Sequence, residues 1–139
     1  MPLLKLSLLG ILLIVQQTCQ RDEDYAHKEL LNTQWELASL RGEAVDSALK
    51  APTLLFSANE TRVNGFAGCN KFFGTYMLNE DSLSFSGIGS TKMFCEQSQE
   101  LENNYIELLS MASHFVVSEN GSTLTLLDTA TPILEFRKK

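Results

Sequence analysis

The sequence lacks an apolar run long enough to span a membrane. A spanning helix needs roughly 20 consecutive apolar residues, whereas the apolar stretch from Leu6 to Val15 covers only ten positions. Among the 139 residues, 44% are hydrophobic and 20% are charged. These proportions are typical of a globular domain and argue against both an integral membrane protein and a disordered chain.

Basic residues are also few, with 11 Lys and Arg against 17 Asp and Glu. From residue 19 onward Lys5 no longer counts, so ten basic residues face 17 acidic ones, a net charge of −7. A nucleic-acid-binding protein needs a basic surface to neutralise phosphates. We therefore expect no nucleic acid among the partners.

Side chains for chemistry are scarce. The body of the chain has one histidine, His114, and two cysteines, Cys69 and Cys95, and these three fall short of the four ligands usual for structural zinc. No spacing indicates a nucleophile beside a base. We expect no catalytic residue, no metal and no cofactor. An enzyme would have to bring Glu100 or Glu102 beside His114 and Cys95 in one cleft.

The N-terminal stretch is typical of an exported protein. Lys5 precedes the short apolar run, which predicts a signal segment over residues 1–18. The cysteine that follows, Cys19, is placed like the lipid-modified cysteine of bacterial lipoproteins. Gln16 and Gln17 depart from the aliphatic and small residues usual there, so ordinary secretion with cleavage nearby is the alternative. Residues 19–30 are polar and mixed in charge, which predicts a flexible tether to a membrane.

The cysteine count bears on pairing. If Cys19 carries lipid, Cys69 and Cys95 remain as one pair, and an oxidising compartment would join them in a disulfide. In a cytosolic protein the same two cysteines would be reduced and buried.

The rest of the chain, residues 31–139, reads as one α+β domain. Runs with alternating apolar residues, typical of strands, recur eight times: QWELASL, TLLFSA, TRVNGF, FFGTYML, SLSFSGI, HFVVSE, STLTLLD and ILEFRKK. Between the fifth and sixth runs, Leu101, Tyr105, Leu108, Leu109 and Ala112 follow helical spacing. We therefore expect an antiparallel sheet of about eight strands, curled toward a barrel, with one amphipathic helix packed on it. Ser98 is expected to be the N-cap of this helix.

One stretch, GFAGCNKFFGTY, combines three glycines with four aromatic rings within Gly65–Tyr76. Gly65, Gly68 and Gly74 are expected to let a strand bend sharply, by a bulge or by positive φ. The rings supply apolar area to the core wherever they face inward. Asn70 has a short amide that can bond the backbone of its own loop, so we interpret it as a residue that fixes the turn.

These residues resemble the signature of the META domain or HslJ-like family of small bacterial envelope proteins. The matching positions are Trp35, Val63, Gly65, Gly68, Cys69, Asn70, Gly74, Tyr76, Thr91, Met93 and Cys95, followed by Glu100 or Glu102 with Tyr105. The resemblance implies a compact α+β fold of antiparallel strands with one packed helix. It also implies an envelope or heat-shock-associated protein, with some members linked to drug tolerance or motility.

Three functions remain open on the sequence. The first, which we favour, is a non-catalytic binding or scaffolding domain, held at the periplasmic face or the outer membrane by lipid on Cys19. The others are a carrier with an interior pocket for a small apolar ligand and a purely structural envelope protein. The partners we expect for the protein are the membrane, through lipid on Cys19, and either an envelope protein or an apolar ligand.

Overall fold

The computed structural model describes the backbone from residue 3 to residue 139 and the side chains from residue 17 onward. Over this range the chain forms two helices and nine strands. In chain order they are α1 (Leu3–Leu31), β1 (Trp35–Leu40), β2 (Glu43–Ala44), β3 (Thr53–Ser57), β4 (Arg62–Phe66), β5 (Lys71–Asn79), β6 (Ser82–Ser90), α2 (Gln99–Met111), β7 (His114–Val117), β8 (Thr123–Asp128) and β9 (Thr131–Lys138).

All the strands belong to one sheet with antiparallel pairing. The order is β2-β1-β3-β4-β5-β6-β7-β8-β9, and β1 also pairs with β9. The sheet therefore curls round into a ring. The predicted α+β class with a mainly antiparallel sheet is confirmed, but there are nine strands rather than eight. The additional strand, β2, has two exposed residues, which is too short for any alternation to show in the sequence.

The core lies inside the ring and beneath α2. Trp35, Phe72, Tyr105 and Phe136 are fully buried there, and the ring of Tyr105 packs 5.7 Å from that of Phe72 and 6.2 Å from that of Phe136. A buried ring of this kind removes about 150 to 250 Å² from water, worth about 4 to 6 kcal/mol at about 25 cal/mol per Å². The apolar face of α2 thus holds the helix on the sheet, as its spacing predicts.

The start of α2 differs in one detail from the prediction. Ser98 occupies the N-cap position, but its side chain makes no capping hydrogen bond. The carbonyl of Ser98 instead accepts the backbone N–H of Glu102 at 3.0 Å.

Helix α1 extends through residues 19–30, where the sequence predicts a flexible tether. Leu30 is buried, and its carbonyl accepts the indole N–H of Trp35 at 3.2 Å. One turn earlier, His27 Nε2 lies 2.6 Å from the carbonyl oxygen of Glu80, and Glu29 pairs with Lys138 at 3.3 Å. The end of this helix is therefore docked on the domain. Apolar residues are too sparse among the charged residues of positions 19–30 to form a helical pattern in the sequence.

The predicted signal segment, residues 1–18, lies almost entirely outside the residues whose side chains are described. Within the described part of the chain, no helix combines the length and apolar character that crossing a membrane requires. Cys19 is exposed on α1 and takes no part in a disulfide.

Candidate functional site

The two signature segments meet beside the first turn of α2. One is the turn between β4 and β5, and the other is the connection from β6 to α2. A disulfide between Cys69 and Cys95 joins them, with the two Cα atoms 5.8 Å apart. That separation lies within the usual range of about 4.4 to 6.8 Å. The structure thus contains the disulfide that the sequence predicts.

Asn70 links the two segments through its side-chain amide. Its Nδ2 donates to the carbonyl of Met93 at 2.9 Å and to Glu102 Oε1 at 2.7 Å. Its Oδ1 accepts the backbone N–H of Met93 at 2.7 Å and the hydroxyl of Thr91 at 2.9 Å. Both donors and both acceptor positions of the amide are therefore used. The prediction that this side chain bonds its own loop is wrong, because its partners lie in other segments.

Glu102 completes the network, which the sequence analysis missed. The residue is only 5% exposed, and its Oε2 accepts the backbone N–H of Cys69 at 2.9 Å and that of Asn70 at 2.5 Å. The spacing held a clue, since Glu102 lies three residues before Tyr105 and seven before Leu109 and so shares their buried face. A carboxylate on that face needs donors, and the β4–β5 turn supplies them.

The surroundings of Glu102 lower the pKa of its carboxyl group. Burial by itself raises this pKa, but four influences together outweigh burial. They are the side-chain and backbone hydrogen bonds from Asn70, the backbone hydrogen bond from Cys69, and the positive charge of Lys92. Since hydrogen bonds to the ionised form favour it, the carboxylate is charged and stabilising at neutral pH.

The three signature glycines have different roles. Gly68 has φ of +127°, and a Cβ there would lie 3.4 Å from the backbone nitrogen of Glu102. Gly65 has no positive φ, but a Cβ there would lie 2.1 Å from the carbonyl oxygen of Thr53. That oxygen accepts the hydroxyl of Tyr105 at 3.1 Å. Gly74 lies where the β5–β6 register shifts, between Phe73 and Thr75. Only Gly68 therefore needs the left-handed conformation.

Replacing Gly68 by valine is expected to lower the free energy of unfolding by about 2 kcal/mol or more, because a β-branched residue is strained at this φ. Gly87→Ala is the control, since Gly87 has φ of +60° and open space around its Cβ position. Alanine in that ordinary left-handed conformation should cost about 1 kcal/mol. Urea denaturation measures both. Equal losses of unfolding free energy in the two variants would show that the close approach of Gly68 to the backbone of Glu102 does not affect stability.

The aromatic residues of the first segment divide between core and surface. Phe72 and Tyr76 are buried, and the Tyr76 hydroxyl donates to the carbonyl of Ser57 at 3.2 Å. Burial raises the pKa of Tyr76. Phe73, by contrast, is 59% exposed. Phe66 is half-buried, and the amine of Lys50 lies 4.6 Å from the centre of its ring.

The second segment presents two apolar side chains to solvent. Met93 is 62% exposed and Phe94 is 78% exposed, although the backbone of Met93 is held at both its N–H and its carbonyl by Asn70. A groove of about 430 Å³ lies between this segment and α2, where Asn103 and Ile106 form its other wall. The network therefore fixes the backbone beneath an exposed apolar pair.

The structure does not bring His114 together with Cys95 and Glu102 in one cleft. Cys95 is in the disulfide, and Glu102 accepts bonds from the β4–β5 turn near the start of α2. His114 lies three residues beyond the other end of that helix, which runs for about 13 Å from Glu102 to Met111 at about 1.5 Å per residue. Its Nδ1 lies 2.9 Å from the hydroxyl oxygen of Ser113. Among side chains from residue 17 onward, no cluster of His, Cys, Asp or Glu could hold a metal ion.

Comparison with known proteins agrees with this arrangement. Heat shock protein HslJ of Escherichia coli (strain K12) is 28% identical over 112 residues, which cover 79% of this chain and 76% of that protein. An NMR structure of a protein from Burkholderia xenovorans aligns with a TM-score of 0.66 and 27% identity, over 81% of this chain and 85% of that one. A second NMR structure aligns with a TM-score of 0.61 and 28% identity, over 79% and 92%. The family model of the META domain matches residues 28–139, from the docked end of α1 through β9. The chain therefore belongs to the META domain family.

Proposed function

We propose that this protein is a membrane-tethered domain of the bacterial cell envelope that acts by binding another molecule rather than by catalysis. The observation that carries this proposal is that the polar and reactive side chains of the signature are used internally. Cys69 and Cys95 bond each other, and Asn70 and Glu102 satisfy each other and the backbone around them. A catalytic group would need an open position toward a substrate.

The shape of the molecule favours surface contact over an interior pocket. The inside of the ring is occupied by large buried side chains, among them Trp35, Phe72, Tyr105 and Phe136. A carrier of small apolar ligands would need that space. The exposed pair Met93 and Phe94 instead offers apolar area on a fixed backbone. This pair also favours a binding role over a purely structural one, since large exposed apolar side chains next to each other are typical of interaction sites.

The similarity to heat shock protein HslJ leads us to propose a stress-associated role. The contact surface is then tested in cells that lack the gene, by complementing heat and drug tolerance with a variant that carries Met93→Ser and Phe94→Ser. Met77→Ser is the control, because Met77 is 74% exposed but lies outside the signature. We expect the double variant to lose tolerance at normal abundance and the control to keep it. Full function of the double variant would contradict the contact surface, and complete loss of function in a normally abundant His114→Ala variant would contradict action without catalysis.

Acylation of Cys19 is the second part of the proposal. Cys19 is exposed, outside the disulfide, and 11 residues before buried Leu30. Growth with a palmitate analogue should label the wild-type protein and move it to the membrane fraction, while a Cys19→Ser variant should stay unlabelled. Equal labelling of the two would overturn the lipid anchor. The anchor and the contact surface are tested separately, so either can fail alone.

A further inference from the structure

The pairing of strands in the ring is weakest between β6 and β7. These strands have one register pair, Ser82 with His114, within the described residues. Two further backbone bonds flank it, from the N–H of Leu83 to the carbonyl of Ser113 and from the N–H of Phe115 to the carbonyl of Asp81, both at 3.0 Å. Beyond that point β7 pairs with β8 on its other side, through Val116 and Thr125 and then Val117 and Leu124. No described strand lies beside Val117 on the β6 side.

The direction of the backbone groups at this edge follows from the alternation of antiparallel pairing. The N–H of Ser118 donates to the carbonyl of Thr123 at 3.0 Å, so these two residues form a hydrogen-bonded pair with β8. Successive residues of a strand direct their backbone N–H and C=O groups to opposite edges of the strand. The backbone groups of Phe115 and Val117 therefore point away from β8. The Phe115 bond to Asp81 agrees with this direction. Val117 therefore directs its N–H and carbonyl toward the β6 side.

A surface groove of about 380 Å³ runs along this edge, between β7, the β5–β6 turn and α1. Its floor is apolar, with Val116 57% exposed. Its walls carry four carboxylates, on Asp22, Glu23, Glu80 and Asp81. The ion pairs among the described residues involve the carboxylates of Glu29, Glu36 and Glu60. None of the four carboxylates of the groove is therefore in an ion pair with a described residue.

We propose that this groove binds an extended, basic segment of a partner protein, which adds as a short strand beside Val117, where the β6 side of β7 has no strand partner. Strand addition satisfies the backbone groups of the edge and places alternate side chains toward the domain. Apolar side chains of such a segment would face the valine floor, and Lys or Arg side chains would meet the carboxylates of the walls. Complementary charge of this kind selects the partner and speeds its approach.

This groove shares no lining residue with the groove beside Met93 and Phe94. It gives the proposed binding function a specific partner chemistry. The inference rests on that function but has its own test. Failure of the groove experiment would leave the complementation result for Met93 and Phe94 unchanged.

The test uses the purified protein and a fluorescent peptide of alternating Lys and Val, with binding measured by anisotropy. A peptide of the same sequence with N-methylated amides keeps its charge and side chains but donates fewer backbone hydrogen bonds. We expect saturable binding of the first peptide and at least tenfold weaker binding of the second. Val117→Pro should also weaken binding, because it removes an N–H that β8 does not use; its melting temperature checks the fold.

Two charge variants complete the test. Glu23→Gln with Asp81→Asn should weaken binding of the basic peptide roughly tenfold, while Glu43→Gln with Glu96→Gln, which neutralises exposed carboxylates elsewhere, should leave it unchanged. Equal weakening in both variants would show general charge attraction and overturn the site. Equal binding of the N-methylated peptide would overturn strand addition, and the absence of binding at millimolar peptide would overturn the proposal as a whole.

Discussion

Replacing Glu102 by glutamine is expected to lower the free energy of unfolding by about 3 kcal/mol, although the two side chains have nearly the same shape. The carboxylate receives three N–H groups, from the Cys69 backbone and from the backbone and side chain of Asn70. Glutamine keeps one acceptor oxygen and replaces the other with a donor, which then faces a donor. A buried donor without an acceptor lowers the free energy of unfolding by about 1 to 3 kcal/mol. The loss of hydrogen bonds to a charged acceptor lowers it further.

The same substitution should change how stability depends on pH. The folded protein holds the pKa of Glu102 below its ordinary value, so the unfolded chain binds a proton more readily than the folded one. The stabilisation is therefore complete above the unfolded pKa of about 4.3 and is lost as the pH falls through the lower folded pKa. Wild-type protein should lose stability more steeply with acid than Glu102→Gln does, and the difference between the two should shrink below about pH 4.

The control for this prediction is Glu100→Gln, which alters an exposed carboxylate in the same helical turn. It should change the free energy of unfolding by less than about 0.5 kcal/mol. Urea denaturation at several pH values measures all three proteins. If Glu102→Gln matched the control at pH 7, the carboxylate would not hold the β4–β5 turn to α2.

Removal of the disulfide is the second large effect. The double change Cys69→Ser and Cys95→Ser opens a loop between cysteines 26 positions apart, which should cost about 3.5 kcal/mol on the chain-entropy model. For a domain of this size that loss corresponds to a fall in melting temperature of roughly 10 °C. The polar network should weaken as well, because the disulfide holds its two segments together.

Cys19→Ser is the matched control, since Cys19 is exposed and outside the disulfide. It should melt like the wild type, and only the wild type and this control should lose stability when a reductant is added. Equal melting of the double variant and the oxidised wild type would show that the polar contacts hold the two segments without the covalent bond.

The strands were predictable because they are half-buried. In β6, for example, Leu83 and Phe85 are buried while Ser84 and Ser86 are exposed, and apolar and polar residues alternate in the sequence in the same way. Helix α2 was predictable for the corresponding reason, since its apolar residues follow the helical period. Strand β2 was not, because it is held by two register pairs with β1, Ser39 with Ala44 and Leu40 with Glu43, rather than by burial.

Glu102 and the end of α1 show where sequence reasoning fails. A glutamate in the first turn of a helix has an adequate explanation in the helix dipole, so nothing in the sequence requires it to be buried. Its donors belong to a turn more than 30 residues earlier, and only the fold brings the two together. The docking of α1 likewise depends on single contacts, such as His27 with Glu80, that no periodic pattern reveals.

The signature residues could be located from the sequence, and the disulfide between Cys69 and Cys95 could be predicted, but the hydrogen-bond partners of Asn70 could not. Thr91 and Met93 lie 21 and 23 residues after Asn70, and an amide can bond a distant backbone as readily as its own loop. The scarcity of reactive side chains in the sequence leads us to expect no catalytic centre. In the structure, Cys69 and Cys95 bond each other, and Asn70 donates to Glu102.

The most direct test of this account is a double-mutant cycle between Asn70 and Glu102. The free energy of unfolding is measured by urea denaturation for Asn70→Ala, Glu102→Ala and the double variant. If the signature is a structural network that joins two segments to α2, each single change should cost about 2 kcal/mol or more, and the double change should cost at least about 1.5 kcal/mol less than their sum. Single variants as stable as the wild type, with additive effects near zero, would contradict it.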